Sequence, residues 1–252
     1  MSKNLNTFLL KEGILNEGIN DKYLFKAVFL AGGPGSGKSF ISDLMFKGEP
    51  VVFINSDSFL EFYLNKKNLP KVFDISNAEV YAKQSAVRQL SKKVTTNKLI
   101  NVVNGMLPII VDGTGKDYKK ITSLSNDLRS VGYDTHMVFI NTSLEVAKQR
   151  NLMRDRVVPE QVLVDSWYQV QGNIGTFQSY FGNKNFKIVD NNKVLDKDAI
   201  NELKVKLVKQ SRKFLTAPIQ NNIGKNTIDR MRQSKAKLLS DIDVNFSPSG
   251  KV

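Results

Sequence analysis

The chain has no cysteine in its 252 residues, and histidine and tryptophan occur once each. Absent thiols exclude a disulfide scaffold, a Cys-ligated zinc site and a Cys nucleophile, and they suit a reducing compartment. No apolar run approaches the roughly 20 residues that cross a bilayer, so no membrane span is expected. The opening Met1-Ser2-Lys3-Asn4-Leu5-Asn6 does not lead into the apolar stretch of a secretory signal, and a cytoplasmic protein is expected. Acidic residues are scarce, 24 Asp and Glu against 37 Lys and Arg, for a formal net charge of +13. That excess attracts anions: nucleotides, nucleic acid, phosphorylated metabolites. With 41% hydrophobic and 24% charged residues, wholesale disorder is excluded. The length suits one large domain, or a domain of usual size with an extension.

Hydrophobic patterning supplies five short apolar runs: Phe25 to Ala31, Val51 to Ile54, Pro108 to Val111, Met137 to Ile140 and Phe186 to Val189. Continuous apolar runs of this length read as strands buried on both faces. Helical spacing separates them, at Phe40 to Phe46, from Ser58 to about Lys67, at Val80, Val87, Leu90 and Val94, and from Tyr118 to Val131. Ser76 with Glu79, and Thr142 with Glu145, fit the capping-box pattern. Gly132 stands where a helix C-terminus belongs. Pro159 suits the first turn of a helix. Alternating strands and helices predict an α/β fold: a parallel five-stranded sheet with helices on both faces. Residues 1–21 read as an arm or short helix and 22–195 as the principal domain. Residues 196–252 read as a basic, helical C-terminal extension, with helices over 196–214 and near 227–240 and disorder at Ser247 to Gly250.

The strongest chemical signal follows the first strand. Gly32-Gly33-Pro34-Gly35-Ser36-Gly37-Lys38-Ser39 fits G-x-x-x-x-G-K-[ST], the P-loop or Walker A pattern. By average composition the bare pattern arises by chance in roughly 1% of chains this long, and here it also sits between a strand and a helix, as required. The glycines let successive N–H groups face one anion, and the following helix directs its N-terminus there. Lys38 would reach the β and γ phosphates of ATP, and Ser39 would hold Mg²⁺.

Which P-loop class this is depends on the other strand ends. Ile109-Ile110-Val111 runs into Asp112-Gly113-Thr114. Asp112 is suited to assist Mg²⁺, but Gly113 supplies no water-polarising base of the kind a motor ATPase uses. Asp112-Gly113-Thr114-Gly115 also fits D-x-x-G, yet no N-K-x-D is present to read guanine, which counts against a GTPase. Val51 to Ile54 runs into Asn55-Ser56-Asp57. Two readings fit Asp57: a base that accepts the proton of an acceptor hydroxyl, or an N-cap. Arg150, Arg154 and Arg156 follow the fourth strand, with Arg150 and Arg154 four apart as on one helix face. They would clamp a transferring phosphoryl group, or else form a solvated face paired with Glu145 and Asp155.

His136, the single histidine, lies within a strand pattern and reads as structural. Trp167, Tyr168, Phe177, Tyr180 and Phe181 form an aromatic cluster, mostly core, from which one or two rings could stack on a base or sugar. The Lys and Arg residues beyond 196 are a possible nucleic-acid contact, though a solvated helix face is the simpler reading.

A P-loop, a strand ending in Asp, a strand ending in Asp-Gly-Thr and a strand leading to an arginine-rich lid together resemble the zeta-toxin and polynucleotide-kinase branch of the P-loop kinases. The likeness spans roughly residues 25–190. Val111 to Lys116 and Gln169 to Gly175 also look like kinase-like proteins of large tailed bacteriophages, which would place the chain in a host cytoplasm. The resemblance implies ATP and Mg²⁺ as cofactors and transfer of the γ-phosphoryl to a hydroxyl, of a nucleotide sugar or of a polynucleotide 5′ end. It implies Lys38 and Ser39 at phosphate and Mg²⁺, Asp57 as base, and Arg150 with Arg154 or Arg156 as the clamp. Many members carry an arginine three residues beyond the base to hold the acceptor; here that position is Leu60, followed by Glu61. The rival class is a nucleotide-binding phage structural or DNA-associated protein without turnover.

Overall fold

The computed structural model describes residues 22–153, 157–193 and 196–246. Five parallel strands form one sheet: β1 (Lys26–Ala31), β2 (Val52–Ile54), β3 (Ile109–Asp112), β4 (Asp134–Asn141) and β5 (Phe186–Asp190), in the order β2-β3-β1-β4-β5. Every residue of β1 is buried, which is why its sequence is a continuous apolar run rather than an alternating one.

The two faces divide by the period of two. Ala27, Phe29, Ala31, Ile109, Met137 and Phe139 belong to one core. It is covered by Val102 of α3 (Ala78–Asn104), Leu128 of α4 (Tyr118–Ser130), Val170 of α6 (Glu160–Gly172) and the aromatic pair Phe177 and Phe181 of α7 (Ile174–Phe181). Val28, Leu30, Ile110, Val138, Ile140 and Val189 belong to the other. There Ile41, Met45 and Phe46 of α1 (Lys38–Phe46) meet Leu207 and Leu215 of α8 (Lys197–Leu215). A third, small cluster joins Leu60 and Leu64 of α2 (Ser56–Lys66) to Val87 of α3.

Several local expectations shift. The caps fall one residue later than the capping-box pattern indicated. Asn77, not Ser76, accepts from Val80 N–H, and Ser143, not Thr142, opens α5 (Leu144–Leu152) by accepting from Val146 N–H. Ser76 instead donates to Asp74 at 2.5 Å. Pro159 stands just outside α6 as its N-cap rather than in its first turn.

The C-terminal region beyond residue 195 is helical, as expected. Its first helix, α8, lies against α1 and adds to the cover of the sheet, with Leu207 and Leu215 buried. Beyond it, α9 (Asn222–Phe246) is longer than the 227–240 expected and sends Ile228 into the core on the opposite face. The arm 1–21 and the Ser247 to Gly250 stretch lie outside the described residues.

Candidate active site

The carboxyl edge of the sheet collects the polar groups. The P-loop leaves β1 there and opens α1. Gly37 is the helix N-cap at φ 76°, ψ 24°, with no side-chain cap bond. Gly35 has φ 77°, and a Cβ there would lie 2.3 Å from the Ala147 carbonyl oxygen of α5. Both positions therefore require glycine. Two backbone bonds tie the loop to the Asp-Gly-Thr strand end: Gly32 N–H to the Thr114 carbonyl at 3.0 Å, and Gly113 N–H to the Leu30 carbonyl at 3.2 Å.

A connected line of side chains crosses this edge. Lys38 Nζ forms an ion pair with Asp112 Oδ1. Asp112 Oδ2 accepts from Asn55 Nδ2 at 2.6 Å. Asn55 Oδ1 in turn accepts the Asp57 backbone N–H at 2.7 Å, which makes Asn55 the cap of α2. The capping alternative for Asp57 is thereby corrected, since Asp57 sits inside the first turn. Its carboxylate is exposed, and among the described residues no hydrogen bond or ion pair engages it.

On the opposite flank, Asn191, just past β5, donates to the Ser36 carbonyl at 2.8 Å, and its own carbonyl accepts from Arg150 Nη1 at 2.7 Å. That nitrogen lies 3.5 Å from where a Gly37 Cβ would stand. Arg150 therefore reaches the P-loop and is not spent on a surface carboxylate. Lys148 of the same helix pairs with Glu160 at 2.7 Å. Helix α5 ends at Leu152, with Met153 as its C-cap. Arg154 and Arg156 lie outside the described residues. Leu60 is turned into the α2–α3 cluster, and Glu61 pairs with Lys71.

Helices α6 and α7 brace the loop that follows β3. Asn173 Nδ2 donates to the carbonyls of Gly115 and Lys116, each at 2.9 Å, and Lys116 Nζ donates to Ser166 at 3.0 Å. Trp167 Nε1 donates to the Thr142 carbonyl at 2.9 Å. Phe177 and Phe181 are core, Tyr180 is half-buried against Tyr118, and Tyr168 is exposed. Asn55 and Asn191 are the residues that sequence reasoning missed. Their signal was position, since each is an amide at the carboxyl end of a strand, where α/β sheets bind ligands.

The site fits a nucleotide and Mg²⁺. Ser36 Oγ is buried in the loop with no partner, and the cradle exists only because two Cβ atoms are missing. Mg²⁺ keeps much of its water and takes one or two protein oxygens beside phosphates. Ser39, exposed at the start of α1, and Asp112 can supply those two. Among the described residues there is no group of three or more acidic, His or Cys side chains of the kind that would cage an ion alone.

The sheet order, with the P-loop strand between the Asp-Gly strand and β4, defines a P-loop kinase fold. The chain belongs to the zeta toxin family, whose model matches residues 22–200. Among solved structures it is similar to a chain of the PezAT chromosomal toxin-antitoxin system of Streptococcus pneumoniae. There the identity is 14%, the match covers 95% of this chain and 97% of that one, and the TM-score is 0.54. A chain of the Pnkp1/Rnl/Hen1 RNA repair complex matches at 16% identity over 62% of this chain, with a TM-score of 0.48. The present chain spans only 47% of that protein's length. Shikimate kinase from Bacteroides thetaiotaomicron matches at 18% identity over 73% of this chain and 97% of that one, with a TM-score of 0.46. At these identities the likenesses concern the fold.

Proposed function

We propose that the chain is an ATP- and Mg²⁺-dependent kinase that transfers the γ-phosphoryl group to a hydroxyl of a nucleotide sugar. The observation that carries this reading is the line from Lys38 through Asp112 and Asn55 to Asp57. It holds the backbone of Asp57, whose carboxylate is exposed, in line with the partner of the P-loop lysine. ATP would lie in the loop with its phosphates on the N-terminus of α1, with Lys38 leaving Asp112 for the β and γ phosphates. Arg150, oriented by Asn191, would meet the same phosphates from the other flank. Bound Mg²⁺, held by Ser39 and Asp112, would supply neutralising charge between the β and γ phosphates.

In the transfer, the acceptor oxygen forms a bond to the γ phosphorus while the bond from that phosphorus to the β–γ bridging oxygen breaks. The electron pair leaves with ADP, and the hydroxyl proton passes to the Asp57 carboxylate. General-base assistance of this kind is worth about 10²–10⁴ in rate. A small acceptor is favoured over a polynucleotide end because α8, the first basic helix of the C-terminal region, is built into the sheet's cover rather than held out as a nucleic-acid arm.

The test is transfer from labelled ATP to a panel of nucleotide sugars, oligonucleotides and RNA ends. We expect label on nucleotide sugars, loss of at least a hundredfold in rate with Asp57→Asn at unchanged ATP affinity, and weakened ATP binding with Lys38→Ala. ATP binding without label on any acceptor would favour a nucleotide-binding protein without turnover. Parent-rate transfer by Asp57→Asn would remove the base.

A further inference from the structure

The amino edge of the sheet holds a second cavity that the P-loop chemistry does not use. Its volume is about 870 Å³, within the range of small-molecule sites. β1 has six residues, so at about 3.3 Å per residue the two edges stand roughly 20 Å apart. The floor is made by strand starts whose side chains share one face by register: Lys26 and Val28 of β1, His136 of β4, and Lys187 of β5. Phe214 of α8 forms a wall and stacks on His136 with ring centroids 4.8 Å apart.

Two independent observations point to a ligand there. First, His136 is only 8% exposed, and its Nδ1 is buried with no hydrogen-bond partner. A buried polar atom left unbonded is costly unless something else satisfies it. Second, the charge of the lining is one-sided. Lys26, Arg129, Lys184, Lys187 and Lys213 face the cavity against a single carboxylate, Asp134. That carboxylate is already committed, to Lys26 at 2.7 Å and to the backbone N–H groups of Gln220 and Asn221, each at 2.9 Å. Lys184, Lys187 and Lys213 have no carboxylate partner among the described residues. Val28, Met45, Phe46 and Phe214 supply apolar wall between these charges.

We propose that this amino-edge cavity is a second binding site, separate from the P-loop, for a small organic anion. Such a ligand has a flat apolar body and one phosphate or carboxylate group. The apolar body lies against Phe214 and Val28, the anionic group meets Lys187 and Lys213, and a polar atom of the ligand bonds the imidazole of His136.

The chain's single histidine makes the test direct, because the Hε1 proton of His136 is one resolvable NMR signal. Phenyl phosphate, benzoate and inorganic phosphate are titrated into the full chain, with and without saturating ADP. We expect a saturable shift of that signal with phenyl phosphate or benzoate, the stronger of the two naming the head group, and no effect of ADP on the binding curve. The double variant Lys187→Ala/Lys213→Ala changes two exposed side chains, and its backbone amide spectrum checks that the fold persists. Its affinity for the same probe should fall roughly tenfold. The proposal is overturned if neither aryl anion gives a saturable shift, if ADP abolishes the shift, or if the double variant binds as the parent does. Inorganic phosphate binding as tightly as phenyl phosphate would overturn the apolar half of the site.

Discussion

The two edges of one sheet are built on opposite principles. At the carboxyl edge, polar side chains are half-buried and joined in a line, yet the groups at its working ends, the side chains of Asp57 and Ser39, remain exposed and, among the described residues, unbonded. At the amino edge the central charge is sunk, although Lys187 and Lys213 beside it are exposed. Lys26 is 1% exposed and paired with Asp134, and burial pulls its ammonium below the ordinary lysine value despite that partner. The strands are the same, so the difference lies in what caps them. Loops of glycine and short polar residues cap one end, while helix α8 and the 216–221 turn cap the other. Edge chemistry is therefore set by what closes each end: phosphate-facing loops at one, and at the other a buried ion pair that fastens the fold beneath the proposed anion site.

That contrast predicts that changes to the sunk amino-edge groups act on stability and carboxyl-edge changes on phosphoryl transfer. The largest effect expected is for Asp134→Ala, which leaves Lys26 buried without its counter-charge. Denaturant titration should show a loss of about 3–5 kcal/mol, and adding Lys26→Met in the same chain should recover part of it. A loss under about 1 kcal/mol would break the comparison.

Next comes His136. Burial first, and the nearby Lys187 second, lower its pKa from 6.5 to about 4. The folded state thus holds the neutral imidazole, and the unfolded chain binds more protons between those values. The contribution is complete above pH 6.5 and is lost as pH falls towards 4, by roughly 3 kcal/mol. His136→Phe should flatten the stability profile across that window without changing transfer from ATP. An unchanged slope would show that other groups set it.

The smallest stability effect expected is for Asn55→Ala, where loss of the α2 cap costs about 1 kcal/mol. Transfer should fall further than that cost implies, because Asp112 and Asp57 lose their shared anchor. Asn55→Asp separates the two roles. It keeps a capping oxygen but sets a second carboxylate against Asp112, so melting should be nearly normal while turnover stays low. Normal turnover in both variants would detach Asn55 from the site.

Much of this was legible in the sequence. All five strands were, since a run such as Lys26 to Ala31 carries its burial in its composition. The P-loop was, since its spacing is fixed by the backbone it must form. The caps were blurred because adjacent residues, Ser76 beside Asn77 and Thr142 beside Ser143, are all capable caps, and only loop geometry chooses between them. Helix α8 was read as an extension because its buried set is sparse. Leu207 and Leu215 stand eight residues apart among lysines, and nothing local reveals that α1 waits beside them. What Asn191 binds was hidden for a similar reason: its partners, Ser36 and Arg150, are 155 and 41 residues away.

The Lys26–Asp134 pair also has a bearing on how the chain is made. Its members are 108 residues apart, and at 5–20 residues per second the ribosome needs roughly 5–20 s to deliver the second after the first. Another 86 residues separate Asp134 from Gln220, whose N–H helps hold its carboxylate. The central strand is thus among the first elements synthesised and among the last to be satisfied. Throughout that interval the nascent chain carries an apolar segment headed by an unmatched ammonium, a segment that chaperones can hold and that is kept from settling early into a wrong sheet.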